Sequence, residues 1–288
     1  MNVVRDPGGL ARTPRAVAIG TFDGVHLGHR AVIRAAVDAR LRPTVVTFDP
    51  HPRLVLGREV ELLATLERRL ELLADCGVED VLVVPFTPEL AAREAEDFAR
   101  TFLLEIGAEV VVAGSGFRFG RDRAGDLALL RALGLDARTV PLVEGISSTR
   151  IRDLVRSGDV EHAAELLGRP VEVEGIVVGG DRRGTGLGFP TANVEPPQRL
   201  LVPAHGIYAG AVGEARAAIS IGVNPHYGGT RRRIEAFLLD FDGDLYGDRL
   251  VVQLWRRLRD ERTFSSEAEL VEQIGRDVEE TRAATPPV

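Results

Sequence analysis

The feature that most restricts the fold is an alternation in the first half of this 288-residue chain. Short apolar runs, "AVAIG" (16–20), "PTVVTF" (43–48), "DVLVVPF" (80–86) and "AEVVVAG" (108–114), are separated by segments of helical period: "RAVIRAAVDARL", "TLERRLELLADCG" and "ELAAREAEDFARTFLLEIG". Runs that are apolar throughout suit strands buried on both faces, and strands regularly separated by helices imply a parallel sheet with right-handed crossovers. Ligands of such a sheet bind beyond the carboxyl ends of its strands. "GTFDGVHLGHR" (20–30) stands at such an end, between the first strand and the first helix.

After "ISSTRIRDLVRSGDVEHAAELLG" (146–168), which reads as one or two helices, the pattern changes. The runs "VEVEGIVV", "GIYAGAV", "AAISIG", "RIEAFLLDF" and "RLVVQLW" are shorter and separated by turn residues, as in antiparallel strands curled into a small barrel, and "SSEAELVEQIGRDVEETR" supplies a closing helix. The expected fold is therefore α/β: a Rossmann-like domain with a parallel sheet over residues 1–165, then an antiparallel β-barrel over 166–288. The break falls between Gly158 and Pro170.

Composition narrows the chemistry. A net charge of −7 argues against a nucleic-acid binder, and no apolar stretch reaches the length of a membrane span, so no nucleic-acid and no membrane partner is expected. With no secretion leader apparent, a cytoplasmic protein is expected. Cys76 is the single cysteine and reads as a small buried hydrophobe. All 36 basic residues are arginine, which excludes a Walker-type phosphate site with its lysine and leaves arginine forks, backbone amides, histidine or a metal to hold phosphate.

In the opening motif, Gly20 and Gly24 let backbone amides approach a ligand, and a helix starting near His26 points its positive end at the same place. His26 and His29 are three apart, share a helical face and could both donate to phosphate oxygens. Two capping histidines are the alternative; a metal pair lacks a third ligand at diagnostic spacing. "SST" at 147–149 is by itself an ordinary helix cap. "DFDGDLYGD" (240–248) lacks the glutamate of a calcium loop and reads as a hairpin turn. In "PTAN", the Thr191 hydroxyl and Asn193 carbonyl, two apart, can both present oxygen to a hard cation such as Mg2+.

Four segments in order, "GTFDGVHLGHR", "FDPHP" (48–52), "GFRFGRDRAGD" (116–126) and "ISSTRIRDLVRSGDV" (146–160), resemble the nucleotidyltransferase domain of prokaryotic bifunctional riboflavin kinase/FMN adenylyltransferases, also called FAD synthetases. The resemblance implies that His26 and His29 act on ATP phosphates, with Gly20, Phe22, Asp23 and Gly24 around them, and that Ser147, Ser148, Thr149 and Arg152 form a second phosphate-binding segment. It places His51, Phe117 and Arg118 near the flavin. Where the family has aspartate or asparagine before "FRFG", this chain has Gly116, so a side-chain hydrogen bond to FMN is expected to be missing.

"GGDRRGTGLGFPTANV" (179–194), "SIGVNPHYGGTRRRIEAFLLDFDGDLYG" (220–247) and "LRDERTF" (258–264) resemble the flavokinase half of the same family. That implies nucleotide contacts at Gly180, Gly184 and Gly188 in a glycine-rich segment suited to closing over ATP, and metal and nucleotide roles for Thr191 and Asn193. It also implies a flavin contact at Arg259 and a general base at Glu235. On spacing alone Glu235 reads as a strand-edge surface residue. The implied enzyme uses ATP as co-substrate with Mg2+, turning riboflavin into FMN and FMN into FAD. The alternatives are a riboflavin kinase with a weakened or altered adenylyltransferase domain, or a non-catalytic flavin-binding regulator. Retention of a base argues against the regulator. Oligomeric state is left open.

Overall fold

The computed structural model describes residues 1–141, 143–179, 189–223 and 232–288. They divide into two compact units, Met1–Val60 with Thr65–Ser147, and Glu61–Ala64 with Ser148–Val288.

The first unit is built on six strands: β1 (Asn2–Val4), β2 (Arg15–Ile19), β3 (Arg42–Asp49), β4 (Asp80–Pro85), β5 (Ala108–Gly114) and β6 (Asp136–Val140). All pair in parallel, in the order β1-β4-β3-β2-β5-β6. The helices are α1 (Leu27–Val37), α2 (Pro52–Val55), α3 (Leu66–Asp75), α4 (Pro88–Ala91), α5 (Ala95–Ala99) and α6 (Leu127–Ala132). Alternate residues of each central strand feed two cores. Val17, Ile19, Val46, Leu82 and Val111 pack with Phe98, Leu103 and Ile106, whereas Ala16, Ala18, Val45, Val81 and Val112 pack with Ile33, Ala36, Leu72 and Leu73. That double burial explains why the strands are apolar throughout. The segment expected as one helix over 89–107 is broken: α4 ends at Ala91, and α5 runs into a π-turn over Arg100–Leu104.

At the amino ends of β2, β3 and β4, away from the carboxyl edge, lies a charge cluster in which Arg15 and Asp80 are buried and Arg42 is exposed. The Asp80 carboxylate accepts from Arg15 and Arg42, while Arg15 also donates to Thr44 Oγ1 (3.0 Å) and the Ile106 carbonyl (2.9 Å). Burial alone would raise the Asp80 carboxyl, but hydrogen bonds from Arg42 and Arg15 and their positive charge outweigh it and hold the group below its ordinary range.

The second unit has helices α7 (Ser148–Ser157) and α8 (Val160–Leu167), then β7 (Val171–Val178), β8 (Ala192–Glu195), β9 (Gly206–Val212), β10 (Ala215–Val223), β11 (Arg232–Leu238), β12 (Arg249–Arg259) and finally α9 (Glu267–Ala283). The strands close into an antiparallel barrel in the order β10-β11-β8-β7-β12-β9. Its core joins Val173, Ile219, Ile221, Ile234 and Val252 to Ile151, Val155, Ala163 and Leu167 of α7 and α8. Packing therefore draws the line at Ser147/Ser148, earlier than the expected division at 165/166. The strap Glu61–Ala64 joins the same unit: Leu62 donates to the Arg199 carbonyl (2.7 Å), its own carbonyl accepts from Leu201 (2.8 Å), and Arg152 Nε donates to the Glu61 carbonyl (2.7 Å).

The aspartate-rich run after β11 is not a hairpin, because β11 and β12 are not neighbours in the barrel. Asp240 instead accepts two hydrogen bonds from Arg282 of α9 (2.6 and 2.7 Å). Trp255 is buried beside Ala209 and Ala211, under the Arg216 guanidinium. Among the described residues no helix is long and apolar enough to cross a membrane.

Candidate active sites

In the first unit the chain leaves β2 through Gly20–Val25 and enters α1 at His26. His26 is the N-cap: its Nδ1 accepts from the His29 N–H at 3.3 Å. The rings of His26 and His29 also stack, with centres 3.6 Å apart at 17°. Gly28 makes that possible, because a Cβ there would lie 3.2 Å from His26 Cε1. Phe22, expected among the phosphate contacts, has its ring in the core, with its edge to His29 at 5.4 Å. It supports the histidine rather than offering a surface to a phosphate. Asp23 is 2% exposed, and burial likewise limits what it can reach.

One residue without a motif organises this edge of the sheet. Arg69, on α3 and 5% exposed, donates through Nη1 to the Thr21 carbonyl (2.8 Å) and through Nη2 to the Phe48 carbonyl (3.0 Å). Thr47 Oγ1 donates to the same Thr21 carbonyl at 3.1 Å. Burial lowers the Arg69 guanidinium below its ordinary value, while the Asp23 and Asp49 carboxylates act in the opposite sense. The sequence signal was an arginine on the buried stripe shared with Leu72 and Leu73.

The segment after β3 turns through a cis Asp49–Pro50 bond into α2. His51 is the N-cap of α2, its Nδ1 accepting from the Arg53 N–H at 3.1 Å, so this structure gives it a capping task. At the carboxyl end of β5 a cleft of about 240 Å3 is lined by Gly114, Gly116, Phe117, Arg118, Asp126 and Arg131. Two of the expected flavin residues, Phe117 and Arg118, thus share one concavity, and Arg118 pairs with Asp126 at 2.8 Å. Gly116 has φ +81°, and a Cβ there would meet nothing within 4 Å.

Ser147 closes the first unit, whereas Ser148, Thr149 and Arg152 begin the second at the start of α7. Ser147 and Thr149 are exposed. Arg152, expected in the phosphate-binding segment, is 5% exposed, and its Nε donates to the Glu61 carbonyl.

In the barrel, Asn193 of β8 stands directly opposite Glu235 of β11. Opposed residues of an antiparallel pair share a face, as do residues two apart on one strand. Asn193, Arg233 and Glu235 therefore share one face, with Thr191 just ahead of β8, while Val194, Ile234 and Ala236 point into the core. The catalytic candidates lie on the outer wall of the barrel. Arg233 links them, donating through Nε to Asn193 Oδ1 (3.0 Å) and pairing with the Glu235 carboxylate. Phe189 packs edge-on against Phe237 of the same wall, ring centres 5.3 Å apart. Thr191 and Asn193 offer two neutral hard oxygens, a donor set that fits Mg2+ when nucleotide phosphates complete the shell. Among the described residues no cluster of three or more His, Cys, Asp or Glu could hold a metal by itself. Arg259, the expected flavin contact, donates to both oxygens of Asp277 on α9 (2.9 and 2.6 Å), an ion pair between strand and helix.

Residues 10–151 match the FAD synthetase family, and residues 167–285 match the riboflavin kinase family. The bifunctional riboflavin kinase/FMN adenylyltransferase of Listeria monocytogenes is 35% identical, over 93% of this chain and 92% of its own. The protein of that description in Escherichia coli K12 is 36% identical over 96% of both chains. The chain belongs to the bifunctional riboflavin kinase/FMN adenylyltransferase family. A solved structure described as a macrolide-efflux protein of Streptococcus pneumoniae is 32% identical and superposes with a TM-score of 0.88 over 98% of this chain and 99% of that one. The two family matches coincide with the two sites: the stacked histidines fall in the FAD synthetase stretch, and the Thr191–Asn193–Glu235 wall falls in the riboflavin kinase stretch. Gly180, Gly184 and Gly188, the glycine-rich segment as a whole over 180–188, and residues 224–231 lie outside the described residues.

Proposed function

We infer that this chain phosphorylates riboflavin with ATP to give FMN and ADP, then adenylylates FMN with a second ATP to give FAD and pyrophosphate. What carries the reading is that each matched half holds residues suited to its own reaction. In the second unit, Glu235 is the base for the riboflavin 5′-hydroxyl. The new O–P bond forms at the γ-phosphorus as the bond to ADP breaks, and the proton goes to the Glu235 carboxylate. Arg233 orients that carboxylate and Asn193 together. Thr191 and Asn193 would hold Mg2+, which when bound neutralises phosphate charge.

In the first unit the FMN phosphate, already an anion, needs no base to attack the α-phosphorus of ATP. His26 and His29 are the donors that stabilise charge on the transferring phosphoryl group as pyrophosphate leaves. The resemblance gives Ser147, Ser148 and Thr149 to phosphate binding and the cleft beside Phe117 and Arg118 to flavin. A cytoplasmic setting follows from the ATP both steps consume.

The test is a chromatographic time course with riboflavin, excess ATP and Mg2+. FMN that rises and then gives way to FAD establishes both activities; FMN that accumulates, even when supplied directly, would remove adenylylation from the reading. Glu235→Gln is expected to lower kinase turnover by orders of magnitude and spare FAD formation from FMN. His29→Ala is expected to do the reverse, losing on the order of 10²-fold in adenylylation, as for removal of one preorganised transition-state donor.

A further inference from the structure

We propose that Arg69 is a positioning residue for adenylyl transfer, holding the loop that carries the histidine pair in register with the segment that follows β3. The proposal rests on the functional reading above. Its geometry is specific: one guanidinium on α3 bridges a loop and a strand end, binding the Thr21 carbonyl ahead of Gly24 and His26 and the Phe48 carbonyl, near the end of β3 and ahead of His51. Thr47 completes the lock by donating to the Thr21 carbonyl as well.

The surroundings explain why an arginine stands there. The two carbonyls lie at the ends of adjacent strands β2 and β3, and only a planar fork with separate N–H groups can reach both from one side. The Asp23 and Asp49 carboxylates favour the charged guanidinium at this place. Arg69 Nε, also buried, makes no hydrogen bond, so the side chain is committed to this bridge through its terminal nitrogens. Since His26 starts α1 five residues beyond Thr21, a shift of that carbonyl moves the cap, and with it the stacked ring of His29.

The experiment compares wild type, R69M and R69K in the full chain, measuring kcat and KM for FAD formation from FMN and ATP, with riboflavin phosphorylation as internal control. R69M is expected to lose on the order of 10- to 100-fold in adenylylation kcat, the size of effect an ångström-scale misplacement produces, with KM for ATP little changed and kinase rates at wild-type level. R69K, which keeps the charge but reaches one carbonyl at a time, should recover part of the loss. A folded R69M chain with wild-type kcat, or a loss confined to KM, overturns the proposal. If R69M loses both activities through misfolding, R69K decides: reduced adenylylation kcat beside normal kinase supports the role, and wild-type kcat refutes it. Wild-type protein that makes no FAD in this assay would instead sink the functional reading.

Discussion

Gly116 shows how one residue's backbone conformation constrains its replacement. Its φ of +81° is a region where asparagine and aspartate are the best-tolerated side chains, and the space beside it is open. Gly116→Asn should therefore fold, put a hydrogen-bonding group at the cleft of Phe117 and Arg118, and lower KM for FMN in adenylylation by about 2- to 10-fold, the range of one net hydrogen bond. Gly116→Ala has no polar group to offer and meets the same backbone strain, so it should leave KM where it is. Steady-state kinetics on the three proteins checks both. At this scale the sequence was legible where structure is local: the turn from β2 into α1 that carries His26 and His29 stands in one short motif, whereas Glu235 on spacing alone read as a strand-edge residue. Arg69 was not legible, because its partner Thr21 is 48 residues away. Arg233 was hidden likewise, since its link to Asn193 needs the register of β8 and β11.

Among the elements, strands with continuous apolar runs were readable, and the ones missed lack that run. β1 is three residues long and largely exposed, β6 ("DARTV") buries only Ala137 fully, and β8 is four residues long with only Val194 fully buried. The amino ends of β2, β3 and β4 carry a prediction of their own. The folded Asp80 carboxyl lies below its unfolded value of about 3.9, so the stability it gives is fully present above that pH and is lost as pH falls through the folded value. Urea unfolding of the first unit should accordingly be flat near neutrality and weaken below about pH 4. Asp80→Asn leaves Arg15 buried without its counter-charge, and should cost about 3–5 kcal/mol at pH 7 while flattening that acid limb.

For the whole molecule, the line between the units does not follow a single point in sequence. The second unit includes four residues, Glu61–Ala64, drawn from within the stretch that forms the first. A fragment of residues 148–288 therefore lacks the backbone bonds between Leu62 and the Arg199–Leu201 segment, and strips Arg152 of its Glu61 acceptor. Its urea midpoint, followed by riboflavin kinase activity, should fall below that of the same activity in the full chain, corresponding to a stability lower by roughly 1–3 kcal/mol for the buried groups left unsatisfied. Equal midpoints would show the strap to be dispensable.

The barrel wall has one more implication. Along β11 the residues alternate between the core and the outer wall, with Ile234 and Ala236 inside and Arg233 and Glu235 outside. A slip of one residue would put both charges in the oil and both hydrocarbons in water. The greasy side chains thus act as the reading frame of the active site: they never meet a substrate, yet they forbid every alignment in which Glu235 fails to face Asn193. Selection on such a strand can relax at the outer positions and change the chemistry, provided the inner ones keep count.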